Sequence, residues 1–71
     1  MSINTRKALE HLPSHIRRHV ENLKTEYNRD TDFINHKKCV RYGAMEYLSA
    51  LYHVDAIKEI EIRLLFSYIT L

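Results

Sequence analysis

The chain has 71 residues, 45% of them hydrophobic and 28% charged, with 11 lysines and arginines against 9 aspartates and glutamates. This composition argues against global disorder, and the net charge of +2 neither demands nor forbids a nucleic-acid partner. The single cysteine, Cys39, excludes an internal disulfide, and no apolar run approaches the ~20 residues that cross a bilayer.

One glycine (Gly43) and one proline (Pro13) punctuate the whole sequence. Chain breakers end helices and make tight turns, so their scarcity predicts a few helices joined by short polar links. A single small all-α domain over residues 1–71, with three or four helices, is the expected architecture. A chain of this size buries only ~60% of its unfolded surface, so its stability margin is thin and association or a metal is the natural supplement.

The first segment, Ser2 to Leu12, has Ser2 or Asn4 as a cap and Ala8, Leu9 and Leu12 as its apolar side. Pro13 restarts the chain, since proline is tolerated only in a first helical turn. From Pro13 to Asn28, Ile16, Val20, Leu23 and Tyr27 recur at spacings of four, three and four, with Arg18, Asn22, Thr25 and Arg29 opposite. Arg29-Asp30-Thr31-Asp32 reads as a polar link in which Thr31 or Asp32 caps the next helix.

That helix, Asp32 to His53, is predicted to carry Phe33, Val40, Ala44, Tyr47, Leu48 and Leu51 on one face. Asn35, Lys38, Tyr42, Glu46, Ser49 and His53 share the other. Gly43 beside Ala44 suggests close approach of a neighbouring helix. Asp55 reads as the next cap. The final segment, Ala56 to Leu71, fits a helix with Ile57, Ile60, Leu64, Tyr68 and Leu71 in one stripe. It also alternates as a strand would from Glu59 to Tyr68. The helix is preferred, because no second strand is available to pair with it. Its second stripe, Ile62, Leu65, Phe66 and Ile69, is more apolar surface than one neighbour covers and predicts a homodimer interface.

Chemical motifs are sparse. His15 and His19 lie four apart and His36 and Cys39 three apart, a spacing that two antiparallel helices could converge into a nitrogen and sulfur ligand set. No CxxC or HExxH pattern accompanies them, so no metal or other cofactor is expected. Cys39 near His36 has no glycine-rich loop to build an oxyanion site, and phosphate-cradling motifs are absent. Catalysis is therefore not expected.

The expected function is that of a small cytoplasmic regulator, a homodimer that binds a protein partner and alters its activity, with no membrane association. Lys38, Arg41, Tyr42 and Glu46 are the expected contact face, because an aromatic anchor beside arginine is a composition that interfaces favour. The alternative is a DNA- or RNA-binding regulator that grips phosphates with Arg17, Arg18, Lys37, Lys38 and Arg41.

Overall fold

The computed structural model describes residues 1–71 and contains four α-helices and no strand. Helix α1 runs from Ile3 to His11, α2 from Ser14 to Tyr27, α3 from His36 to His53 and α4 from Glu59 to Ile69. The all-α expectation holds, and the C-terminal segment is a helix.

Local chemistry sets most of the boundaries. Ser2 Oγ accepts from the Thr5 amide at 3.1 Å and caps α1, as its residue type predicts. Leu12 ends that helix in an extended conformation (ψ 140°), which a following proline imposes on its predecessor. Pro13 has no amide hydrogen to lose, and its carbonyl accepts from Arg17 N at 2.9 Å to open α2. At the start of α4 the Glu61 carboxylate accepts from the Lys58 amide at 2.7 Å. Glu59 and Glu61 also place negative charge at the positive end of the helix dipole.

Helix α4 packs against each of the other three helices, and α2 also packs against α3. The shared core gathers Ala8, Leu9 and Leu12 from the first segment, Val20 from α2, and Ala44, Leu48 and Leu51 from α3. Ile57, Leu65 and Ile69 complete it. Leu48, Leu65, Ile69 and Val20 are its largest fully buried side chains. Each contributes about 1.5–3 kcal/mol relative to an exposed position. Ile16, Leu23, Tyr27 and Tyr47 pack around this centre, as their helical spacing requires.

Four expectations need correction. Helix α3 begins at His36 rather than Asp32. The Thr31 hydroxyl accepts from the Phe33 amide at 3.3 Å, and His36 N donates to the Phe33 carbonyl at 3.1 Å, so the intervening residues close local turns instead. Phe33, expected in the apolar face, is consequently 58% exposed, and Ile34 is 95% exposed.

Asp55 does not cap α4. It lies in the left-handed region (φ 61°) just after α3, where Ala56 N donates to the Leu51 carbonyl at 2.8 Å and Asp55 N to the Tyr52 carbonyl at 3.0 Å. This is the Schellman closure that usually carries glycine at that position. Gly43 admits no close neighbour, since nothing lies within 4 Å of where its Cβ would be. In the final segment, Ile60 and Leu71 do not join Ile57 on an apolar stripe: both face solvent while Ile57 is buried.

The only glycine therefore sits where a helix disfavours one, and the position that favours glycine holds an aspartate. Gly43→Ala is expected to raise stability by about 1 kcal/mol, and the melting temperature by about 4–8 °C. Asp55→Gly is expected to add roughly 0.5–1 kcal/mol by removing the left-handed strain. Urea unfolding of each variant tests these values. A loss of stability in Asp55→Gly would mean that the aspartate side chain compensates for its backbone.

Candidate interaction surface

A helix ends in carbonyl groups with no amide partner inside it, and these must be met from elsewhere. Here several of the basic residues meet them. Arg17 of α2 turns back over the end of α1. Its Nε donates to the Leu9 carbonyl at 3.0 Å, and one terminal nitrogen donates to Glu10 O at 3.2 Å and Leu12 O at 3.3 Å. Lys37 Nζ donates to the Tyr27 carbonyl at 2.7 Å at the end of α2, while lying 4.1 Å from the centre of the Tyr27 ring. Lys24 repeats the device on α4, donating to Tyr68 O at 2.8 Å with its ammonium 4.6 Å from the Tyr68 ring centre. Each lysine thus holds one tyrosine by carbonyl and by ring.

His36 joins the closure of α2. It is the one buried polar residue, with Nε2 2.6 Å from Glu26 O and 3.7 Å from the Glu26 carboxylate. His15 and His19 are exposed on α2, and His19 leans on Tyr47 with ring centres 4.2 Å apart. Cys39 is exposed. No three histidine, cysteine, aspartate or glutamate side chains converge as a metal site would need, so His15, His19, His36 and Cys39 are not brought together.

The residues suggested for phosphate binding are therefore divided. Arg17 and Lys37 hold helix ends, and Arg41 donates to the Tyr27 hydroxyl at 3.2 Å. Arg18 and Lys38 are exposed and take part in no ion pair within the chain.

Lys38, Tyr42 and Glu46 stand at successive turns of α3, so they form a straight outward row with Arg41 at its edge. All four are exposed, Tyr42 to 63%. Met45, 39% exposed, lies along the same side of the helix and borders a depression shared with Ile62 and Phe66 of α4. Leu65 and Ile69, expected at a dimer interface, are fully buried inside the single chain, because α4 uses that side for the core. Ile62 and Phe66 are partly exposed.

The largest depression, about 520 Å³, opens to solvent between the end of α1 and the α3–α4 turn. Leu12, Tyr52, Ile57 and Glu59 are among its walls. No helix is long and apolar enough to cross a membrane. Comparison with known proteins gives no matching family model, no matching curated protein and no matching solved structure.

The contacts of Tyr68 make the fold sensitive to alkali. Partial burial, the hydrogen bond that Tyr68 donates to Glu21 at 2.7 Å and the negative charge of Glu21 together push the phenol from 10.0 up to about 12. The folded state therefore holds this proton where the unfolded chain has released it. The stability so gained is complete below pH 10 and falls away as pH rises toward about 12. Tyr68→Phe should lose about 0.5–1.5 kcal/mol at neutral pH and show a shallower decline through that alkaline window. Denaturation midpoints at neutral and alkaline pH, compared between the two proteins, give the answer. Parallel declines would remove Tyr68 as the cause.

Proposed function

We propose that the chain is a non-catalytic regulatory protein that binds a protein partner and modulates that partner's activity. It uses the face of Lys38, Arg41, Tyr42 and Glu46, and it joins a second copy of itself through the solvent side of α4. The observation that carries this reading is the position of Tyr42. It is a large aromatic residue, 63% exposed, set between a lysine and a glutamate one turn to either side. Lys38 and Glu46 belong to neither ion pair of the chain, and the tyrosine hydroxyls that are bonded internally are those of Tyr27 and Tyr68. Aromatic residues in such settings anchor protein interfaces, since they add much contact area with few bonds to immobilise.

The mechanism is occlusion or a shifted equilibrium. A partner that exists in two states is driven toward whichever state presents the better complement to this row. Nucleic-acid binding through the same basic residues loses support, because Arg17 and Lys37 are already hydrogen-bonded to helix carbonyls. Moving them to phosphates would uncover those carbonyls.

Truncating Tyr42 separates the readings. Affinity capture with the tagged protein is expected to recover at least roughly tenfold less partner for Tyr42→Ala than for the wild type, as for an interface hot spot. Ile3→Ala, at an exposed position on α1, should leave recovery unchanged. Equal recovery by both variants would reject the α3 face. Binding of mixed-sequence DNA or RNA that weakens steeply with salt would replace the protein-partner reading altogether.

A further inference from the structure

Helix α4 turns Leu65 and Ile69 inward and leaves Glu59, Ile60, Arg63 and Ser67 exposed on the opposite side. At about 100° per residue these four fall within roughly a quarter to a third of the helix circumference, so they form one continuous face. Ile60, 60% exposed, stands among the charged residues of that face. Two shallow depressions flank it, and both are bordered by Glu59 and Arg63. One, of about 240 Å³, includes Ile60. The other, of about 280 Å³, includes Met45, Ile62 and Phe66.

Glu59 and Arg63 stand one turn apart, a spacing at which opposite charges on a helix commonly pair. They do not pair here, since the chain's ion pairs are Arg29–Glu26 and His36–Glu26. An exposed apolar residue beside one unpaired acid and one unpaired base is a pattern with a definite symmetry. In a parallel, in-register contact between two copies, Glu59 meets Glu59 and Arg63 meets Arg63. In an antiparallel two-fold contact centred between them, each Glu59 meets the other copy's Arg63, twice over, and the two Ile60 side chains approach across the axis.

We propose that this face is the self-association surface, with two copies pairing α4 against α4 in antiparallel orientation. Glu59 of each lies beside Arg63 of the other, and Ile60 packs near its symmetry mate. The inference rests on the reading that the chain joins a second copy, and adds the surface and its orientation. The contact is a single helix pair with Met45 and Phe66 at its margin. It therefore falls at the small end of stable interfaces, and the dimer dissociates on dilution.

Charge exchange tests the geometry directly. Glu59→Arg alone sets the introduced arginine against the other copy's Arg63, and Arg63→Glu alone sets the introduced glutamate against the other copy's Glu59. Each variant should therefore dimerise at least roughly tenfold more weakly than the wild type. The Glu59→Arg homodimer sets two arginine pairs in conflict and the Arg63→Glu homodimer two glutamate pairs, whereas mixing the variants gives a heterodimer with two arginines on one helix facing two glutamates on the other. Both opposite-charge contacts are then restored, and the heterodimer should form with near wild-type affinity. Sedimentation equilibrium over a roughly hundredfold concentration range, with helical content checked by circular dichroism, reads both variants and their mixture. Ile60→Asp should also shift the equilibrium to monomer, independently of the charge pairs.

Single variants that dimerise as well as the wild type would overturn the antiparallel orientation, and if Ile60→Asp also dimerises as well, the α4 surface falls while self-association stands. A mixture no tighter than its components would overturn the charge contact across α4, since arginines on one helix attract glutamates on the other in either orientation. A wild-type chain that stays monomeric throughout the range would overturn both the surface and self-association.

Discussion

Carbonyl groups at helix C-termini must find donors, and the left-handed turn that often supplies them favours glycine, of which this chain has one, inside α3. Only α3 ends that way, and it does so on Asp55. For α1, α2 and α4 the donors are cationic or imidazole side chains from another helix: Arg17, Lys37 with His36, and Lys24. A positive group is well suited to this task, because the C-terminal end of a helix is the negative pole of its dipole. These contacts join the helices at their tips, while the core around Leu48, Leu65 and Ile69 joins them along their lengths.

This arrangement explains why the basic residues resist a simple functional reading. In sequence, Arg17-Arg18 and Lys37-Lys38 look like equivalent pairs. In the fold the members of each pair have different surroundings, since adjacent helical residues point about 100° apart. Arg17 and Lys37 turn to a neighbouring helix end, while Arg18 and Lys38 face water. The positive surface available to a partner is smaller than the residue count suggests. The row of Lys38, Tyr42 and Glu46 on α3 and a mixed-charge face on α4 are the features left outside.

Periodicity made much of the fold legible. Ile16, Val20, Leu23 and Tyr27 pack as their spacing requires, and so do Val40, Ala44, Leu48 and Leu51, because a helical repeat gathers apolar residues on one side. What escaped the pattern was set by backbone bonding or by tertiary distance. Phe33 fits the α3 stripe by residue type, but the Thr31 hydroxyl captures its amide and holds it in a turn. Asp55 is a good cap by type, and only the two hydrogen bonds closing α3 show that its backbone is left-handed. Leu65 and Ile69 read as surplus because the sequence does not say how many helices touch α4. The candidate contact row, Lys38 to Glu46, was legible as an outward face, but its vacancy depended on which other charges were already engaged.

The central place of α4 also sets an order of events during synthesis. Helix α1 packs mainly on α4, with α2 and α3 lying between them in the chain. As the polypeptide emerges, Ala8, Leu9 and Leu12 leave the ribosome long before the helix that covers them. At about 5–20 residues per second, several seconds pass before α4 follows. During that interval α2 and α3 can pair, but the nascent chain keeps part of its apolar surface open to chaperones or to neighbouring chains. Helix α4 is thus the element that closes the core shared with the other three.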